Sequence, residues 1–533
     1  MTETLAGGAP RLTRLCDYVR HYAARQSERD ALVFNQTHIS YRAFDALIDR
    51  CAAALTDAGV QPGDRVAMLT TPRPEFAIVL MAAQRVGAIW VGLNTRYRLP
   101  ELRYILGDCT PRLLISLTET PDGRSFESDL RAVKAETGTQ IITFPAGLPD
   151  IGPSLDEVMK GENPAHAPAS AATENDPTVI VYTSGTTGRP KGALLAHRNL
   201  TYCYQSVSRS FVGAERARDD TRVLCNLPPN HIGCISELFG NAIIRGGAIV
   251  FADQFDPAET LDIIGREKIT LFGGVPVMLE SIFGHPRYAD ADLSSVRAIG
   301  WGGAPATRSL VERMMATGAR MFTNYGLTEG GAVVTATPAT YSLEDLSETV
   351  GTPDDSGDQR IVTDDGRDVN PGESGEIWLR GPGVFLGYWN NPEATAAATT
   401  ADGWLKTGDI ARATETGAWK LEGRKADMFK SGGFNVYPRE IELALEEHPD
   451  VAYTAVVAVK DAQYFEVGAA FVVPKPDCSP TPSVLQTFLR ERLANYKIPK
   501  SITIKDSLPM LPIGKVDKAA LRDDLTEPNA ATS

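Results

Sequence analysis

An α/β fold is predicted for this chain, on three observations. From about residue 30 to about residue 335, amphipathic helical stretches alternate with short apolar strands, the pattern of parallel α/β layers. From about 350 to 422, short strands such as Glu376-Ile-Trp-Leu-Arg380 lie between Gly, Pro and Asp turns, which predicts a small β-rich subdomain. Beyond a break near Gly423-Arg-Lys-Ala-Asp427, about 110 residues read as a compact α+β segment. The 533 residues exceed what one hydrophobic core normally serves, so two or more domains are expected.

The elements follow in order. Tyr41 to Ala58 places Phe44, Leu47, Ile48, Cys51 and Leu55 on one helical face, and Gly59 can end that helix. Asp64 to Leu69 is a strand. The longest apolar run, Phe76 to Leu93, is interrupted by Gln84-Arg85, Gly87 and Gly92; it is too short and too broken to span a bilayer and reads as a buried helix followed by a strand. Pro164 to Pro177 is a linker or surface loop. Thr178 to Thr183 and Ala193 to Ala196 are strands. In the last segment, Arg439 to Glu447 is a helix ended by His448-Pro449, and Val451 to Val459 and Ala469 to Val473 are strands. Thr481 caps a further helix with Pro482 at its first position and an apolar stripe of Leu485, Phe488, Leu489 and Leu493.

Charge and cysteine usage narrow the function classes. A net charge of −14 argues against a nucleic-acid-binding surface, while leaving room for a local pocket for an anionic small molecule. The seven cysteines, at 16, 51, 109, 203, 225, 234 and 478, are odd in number and form no CxxC pair, which fits a reducing cytoplasm better than a disulfide framework or a zinc site. The first residues lack a basic region followed by an apolar core, and the last carry no peroxisomal or lipidation signal.

The chemistry is concentrated in a few motifs. Seven of the ten residues from Thr183 to Gly192 are Gly, Ser or Thr, with Lys191 among them, and strands flank the stretch. Such a loop offers backbone N–H groups, hydroxyls and the positive charge of Lys191 to a polyphosphate. It is not a Walker A sequence, because no Gly-Lys-Ser or Gly-Lys-Thr occurs at that spacing. Asn324-Tyr-Gly-Leu-Thr-Glu329 joins a flat aromatic suited to a purine with a carboxylate suited to a hard cation. Gly302-Gly-Ala-Pro305 lets backbone lie against a ligand. Trp404-Leu-Lys-Thr-Gly-Asp409 supplies a carboxylate able to accept from two hydroxyls, and Arg424 follows in Gly423-Arg424. His231 lies in Asn226-Leu-Pro-Pro-Asn-His-Ile-Gly-Cys234, and Lys515 ends Leu508-Pro-Met-Leu-Pro-Ile-Gly-Lys515. Taken singly, each has a plainer reading: a turn, a solvated charge, or a histidine bonded at a helix start.

In this order and over nearly the whole chain, these motifs resemble the adenylate-forming enzymes, namely acyl-CoA synthetases, peptide-synthetase adenylation domains and luciferases. The resemblance is greatest to a fatty- or aryl-acyl-CoA ligase. It implies a large N-terminal domain of two α/β subdomains plus a small β-barrel-like subdomain over residues 1–423, a hinge at 424–428, and a mobile α+β C-terminal domain over 429–533. Thr183, Ser184, Gly185, Thr186, Thr187, Gly188 and Lys191 would hold the phosphates. Gly303, Ala304, Pro305, Asn324, Tyr325 and Gly326 would line the adenosine, with Tyr325 stacked on adenine, and Asp409 and Arg424 would hold the ribose. Thr328 would reach the α-phosphate and Glu329 would hold Mg²⁺. Lys515 would be the catalytic lysine of the first half-reaction, an electrostatic clamp. His231 would gate the acyl pocket, and Lys430, Ser431, Gly432 and Gly433 would line the channel for CoA. The family's polar hinge residue falls on Ala426 here, leaving Lys425 or Asp427 to serve.

The resemblance thus implies ATP, Mg²⁺ and CoA as cofactor or co-substrates, a small carboxylic acid as partner, no nucleic acid, and a possible homodimer. The acyl wall, His231, Ile232, Cys234, Ile235, Trp301, Gly302, Gly330 and Ala332, is mostly apolar and carries no Lys or Arg. A hydrophobic medium-chain, branched or aryl acid is expected, with Trp301 either shortening the pocket or pointing into the core. The alternatives are an amino-acid or other acyl adenylation enzyme serving a carrier protein, against which the absence of Asp in His231-Ile-Gly-Cys-Ile235 argues, and a non-catalytic nucleotide-binding relative.

Overall fold

The computed structural model describes residues 5, 9–160, 171–183, 189–210, 220–338, 340–353, 358–431, 434–510 and 516–526. The chain forms two compact units, Met1–Gln359 with Leu379–Leu405, and Arg360–Trp378 with Lys406–Ser533.

The first unit contains two seven-stranded sheets, each mostly parallel. One runs Arg320–Thr323, Ala298–Trp301, Leu271–Gly274, Arg222–Cys225, Ala248–Phe251 and Asp30–Phe34 in parallel, and closes with the antiparallel strand Thr37–Ser40. The other runs Pro177–Thr183, Ile89–Leu93, Arg65–Leu69, Leu113–Leu117 and Gln140–Phe144 in parallel; Lys191–Ala196 and Gly387–Tyr388 extend it antiparallel at one edge. Parallel strands need crossovers, and the amphipathic helices supply them. The helix expected from residue 41 runs Tyr41–Asp57, capped by the Ser40 hydroxyl, with Phe44, Ile48, Cys51 and Leu55 buried. The apolar run at 76–93 is the buried helix Pro74–Val86, ended by Gly87 in the left-handed conformation, and the fully buried strand Ile89–Leu93. Among the described residues no helix is long and apolar enough to cross a membrane.

In the second unit, the short strands expected over 350–422 form a four-stranded sheet, Gln359–Val362, Ser374–Leu379, Leu405–Ala413 and Trp419–Arg424. A five-stranded sheet follows, in which Val451–Asp461 and Phe465–Pro474 form a long hairpin. Its strands alternate faces as period 2 requires. Val456, Ala470 and Val472 pack with Ile441, Leu445, Leu485 and Leu489 from helices Pro438–Glu446 and Pro482–Arg490. Ala455, Val457, Phe471 and Val473 pack on the opposite side with Leu508 and with Leu521 of Lys518–Thr526. Thr481 caps its helix through the Val484 N–H, as expected from its sequence position.

One buried polar cluster ties the first helices together. Arg85, in the last turn of the apolar helix, donates to Asp49 Oδ1 at 2.5 Å and to Asp45, and Arg20 donates to Asp49 at 2.8 Å. The Arg85 side chain is only 5 % exposed. Removing it leaves two carboxylates with the more exposed Arg20 as their remaining cation. Arg85→Ala should therefore cost about 3–5 kcal/mol of stability and visibly lower the thermal unfolding midpoint. Arg42→Ala, which breaks only the solvated pair with Glu28, should cost less than about 1 kcal/mol in the same scan.

Candidate active site

The loop rich in glycine and hydroxyls springs from an antiparallel hairpin. Pro177–Thr183 pairs with Lys191–Ala196, and Thr183 lies opposite Lys191, so the last residue of one strand and the first of the next are held side by side. Ser184, Gly185, Thr186, Thr187 and Gly188 lie outside the described residues. Both ends of the loop are tied down. The Tyr182 hydroxyl donates to Asp108 Oδ2 at 2.5 Å, and the Tyr104 hydroxyl donates to the Pro190 carbonyl at 3.0 Å. Burial, the neighbouring Cys109 and the bond to Asp108 push the Tyr182 phenol far above its ordinary value, so it remains a hydrogen-bond donor.

Thr328–Gly330 is a single 3-10 turn that sets Glu329 against the hairpin. Glu329 Oε1 accepts from the Tyr388 hydroxyl at 2.9 Å and from Thr183 Oγ1 at 3.4 Å. The Glu329 carbonyl accepts from Phe385 N–H at 2.9 Å. Lys191 Nζ lies 5.3 Å from the Tyr388 ring centre. Thr183, Lys191 and Glu329, chosen from three points in the sequence, therefore do meet, and Tyr388 joins them. Sequence reasoning misses Tyr388: it stands 59 residues from Glu329 and carries no motif, and only the pairing of Gly387–Tyr388 with Ala193 and Leu194 brings it in. Among the described residues no group of three or more His, Cys, Asp or Glu is arranged to hold a metal ion. One carboxylate flanked by hydroxyls fits Mg²⁺ shared with substrate phosphates, since that ion commonly takes one or two protein carboxylates and completes its octahedron with phosphate oxygen and water.

Three further motifs leave the same edge of the first sheet. Strands Arg222–Cys225, Ala298–Trp301 and Arg320–Thr323 belong to its parallel set, and the segments after them begin at Asn226, Gly302 and Asn324. Ligands in such sheets bind outside the carboxyl ends of the strands. A Cβ on Gly302 would come within 3.3 Å of Asn324 Oδ1, so the two loops lie against each other. Gly303 takes φ +77, and Gly303 and Ala304 are exposed, leaving backbone open to a ligand. Asn324, Tyr325 and Thr328 are buried. The Tyr325 N–H donates to Thr335 Oγ1 at 2.8 Å and its carbonyl accepts from Val334 N–H at 2.8 Å. Gly326 is fixed by close approach: a Cβ there would lie 1.5 Å from the Ala332 carbonyl oxygen. Ala332 itself sits at φ +88, a costly conformation for a residue with a side chain.

The residues expected to form the acyl wall differ in their surroundings. Ile232, Cys234 and Ile235 are buried, the last two on the π-helix Gly233–Gly240. The Cys234 and Cys225 sulfurs are 3.6 Å apart, and burial raises the Cys234 pKa well above its ordinary value. His231 is exposed, and its Nδ1 accepts the Gly233 N–H at 3.1 Å, the arrangement of a histidine that starts a helix. Trp301 takes the core option left open above: it is 2 % exposed and packs in the cluster of Phe272, Leu279, Ile299 and Leu310. Gly330 is crowded, since a Cβ would meet Leu327 at 2.7 Å. Glu237, three residues beyond Cys234, is a second residue that sequence reasoning misses; its Oε1 accepts from Asn324 Nδ2 at 3.2 Å. The available signal is a lone charge within the run from Ile232 to Ile244.

In the second unit, Asp409 and Arg424 face each other across antiparallel strands, with Arg424 Nε 3.0 Å from Asp409 Oδ1. Asp409 is buried, whereas Arg424 is exposed. Lys425 bridges Asp364 at 2.8 Å and Glu376 at 3.3 Å, which raises its pKa, first through the Asp364 bond. Ala426 is exposed, and Asp427 lies 3.7 Å from Arg522. Lys430 is exposed and Ser431 buried on strand Phe429–Ser431. Gly432, Gly433 and Lys515 lie outside the described residues.

Comparison with known proteins identifies the family. The AMP-binding enzyme family model matches residues 19–389, and that of the AMP-binding enzyme C-terminal domain matches 440–515. The chain belongs to the AMP-binding enzyme family, the adenylate-forming enzymes. Among its relatives, a feruloyl-CoA synthase of Amycolatopsis sp is 36% identical over 91% of this chain and 94% of its own. An indoleacetate–CoA ligase of Aromatoleum aromaticum is 35% identical over 95% and 97%. The crystal structure of ATP-bound MatB from Rhodopseudomonas palustris superposes with TM-score 0.85 at 30% identity, covering 96% of this chain and 99% of that one.

The glycines of the site give a direct test. Gly326→Ala should displace the 326–332 loop, lowering both the unfolding midpoint and the affinity for ATP measured by calorimetry. Gly107→Ala, in helix Leu99–Cys109 where a Cβ would meet nothing within 4 Å, should instead stabilise by about 0.5–1 kcal/mol.

Proposed function

We propose that this protein is an ATP-dependent carboxylic acid:CoA ligase acting on a hydrophobic acid, preferentially one bearing an aromatic ring. The meeting of Thr183, Glu329 and Tyr388 carries the reading, because it places phosphate-loop hydroxyl and metal-suited carboxylate within hydrogen-bond reach of each other. The mostly apolar segment from Ile232 to Ile235 supports a hydrophobic acid, and the names of two relatives, for feruloyl and indoleacetate, support an aryl one.

The reaction runs in two steps. In the first, a carboxylate oxygen of the acid attacks the α-phosphorus of ATP; the bond to the β,γ-phosphates breaks and pyrophosphate leaves with its electron pair. Bound Mg²⁺ would neutralise phosphate charge. Thr183, Lys191, Thr328 and Lys515 bind the phosphates and stabilise the negative charge developing on them, a task of positioning and electrostatics. Glu329 would hold the cation and is itself oriented by the Tyr388 hydroxyl. Tyr325 packs on adenine, and Asp409 with Arg424 takes the ribose hydroxyls. In the second step, the CoA thiol sulfur attacks the acyl carbonyl carbon, the thiol proton is lost, and AMP leaves. Alternation of the C-terminal segment about 424–428 would exchange Lys515 for Gly432 and Gly433 between the steps. No protein nucleophile is needed.

Pyrophosphate release over a panel of fatty, aryl, arylalkanoic and amino acids, each with and without CoA, tests the assignment. CoA-dependent turnover that peaks on arylalkanoic acids is the expected result; CoA-independent release that peaks on amino acids defeats it. Within the ligase reading, Lys515→Ala should lower adenylate formation by about 10²–10³-fold yet spare thioester formation from synthetic acyl-AMP. Equal loss in both assays would refute that division of labour. Tyr388→Phe should raise the Mg²⁺ concentration for half-maximal rate by about tenfold, with the unfolding midpoint little changed; an unaltered Mg²⁺ dependence removes Tyr388 from the site.

A further inference from the structure

Glu237 is the only charged residue between Ile232 and Ile244, and the π-helix Gly233–Gly240 that carries it is otherwise apolar but for the buried Ser236. A π-helix is rare and is frequently found at functional sites. The neighbours Cys234, Ile235, Leu238 and Phe239 are all buried. Its carboxyl touches the site through one contact, the 3.2 Å bond from Asn324 Nδ2, and Asn324 Oδ1 in turn lies against Gly302. The carboxyl therefore stands where the acyl wall meets the loops at 302 and 324.

The surroundings of this acid differ from those of the other enclosed acids. Glu442 is paired with Lys518 at 2.7 Å and Arg439 at 3.2 Å, Glu267 with Arg222 at 3.1 Å, and Asp49 with Arg85 at 2.5 Å. Among the described residues no Lys, Arg or His pairs with Glu237, and no second hydrogen bond reaches its carboxyl. The residue is only partly exposed, and desolvation is strong enough to raise its pKa, against the opposing bond from Asn324. An acid in such a place costs stability and does nothing for packing. Its unfilled hydrogen-bonding capacity is the mark of a group that a ligand completes.

We propose that Glu237 is a specificity-determining residue that gives the apolar acyl pocket one polar point and selects acids bearing a neutral hydroxyl or amino donor away from the carboxylate. This deepens the ligase reading and rests on it. The carboxyl accepts the donor's hydrogen on the oxygen that Asn324 leaves free. Acids without such a donor bury Glu237 with its capacity unmet and incur a desolvation penalty in binding.

The test uses the full-length protein and matched pairs of acids: 3-phenylpropanoic and cinnamic acid against their 4-hydroxy and 4-amino derivatives. CoA-dependent AMP formation is measured for each. The wild type should favour the donor-bearing partner by about 10- to 100-fold in kcat/KM, chiefly through KM. In Glu237→Leu that ratio should fall to within about threefold of unity, and Glu237→Gln, whose amide oxygen still accepts, should keep an intermediate preference. Equal or better use of the donor-free acids by an active wild type overturns the inference, as does an unchanged ratio in Glu237→Leu. If the variants do not fold, calorimetric binding of the same pairs to wild type, with a non-hydrolysable ATP analogue present, decides the matter: tighter binding of the donor-bearing acids supports the role of Glu237, and equal or weaker binding overturns it. CoA-dependent turnover of no acid whatever defeats the ligase reading first, and the inference with it.

Discussion

The hydrogen bonds to Glu329 Oε1 hold together the described part of the site in the first unit. They join a strand end at Thr183, a 3-10 turn at Thr328–Gly330 and a two-residue strand at Gly387–Tyr388. Each segment is fixed by its own backbone partners. Thr183 is paired with Lys191, Tyr388 with Ala193, and the Glu329 carbonyl with Phe385 N–H. The carboxylate is thus presented by rigid elements, as electrostatic catalysis requires, since donors placed in advance cost no reorganisation when charge develops.

Placement at strand ends explains why so many motifs converge. The segments beginning at Asn226, Gly302 and Asn324 all follow strands of one parallel set. Parallel alignment brings their carboxyl ends to one edge, where loops are free to vary while the strands remain buried. The crowding is severe: Gly326 lies so close to the Ala332 carbonyl that any side chain is excluded, and Ala332 holds a left-handed conformation in return. Strain and small residues therefore occur together where the chain folds back closely on itself.

Periodicity made much of the scaffold legible in the chain itself. The helix over Tyr41–Asp57 and the Thr481 cap follow from local pattern, because a 3.6-residue apolar repeat and a capping hydroxyl act within a few residues. The two strands that flank the glycine- and hydroxyl-rich loop were legible as short apolar runs, whereas their antiparallel pairing came from the structure. Tyr388 was not, because nothing near it in sequence distinguishes it from other tyrosines, and its role arises from strand pairing across some 190 residues. Trp301 stood between two readings because alternate residues of a strand face opposite ways, and a local sequence does not say which face is core; the packing with Phe272 and Leu279 decided it. The π-helix around Glu237 was likewise hidden, since one added residue per turn leaves a mostly apolar run looking the same.

By itself the sequence determined the class of fold, the order of the motifs and the kinds of chemical group at hand: hydroxyls, a carboxylate, a stacking ring and small residues. These are set by local propensity and side-chain chemistry, which act over a few residues. Only the tertiary structure decided which of those groups share a site. It joined Tyr388 to Glu329, took Trp301 into the core, and set Glu237 beside Asn324 with no cation paired to it among the described residues. The physical reason is that sheet register and close packing are long-range constraints, fixed by the whole domain's need to bury apolar surface and satisfy its backbone.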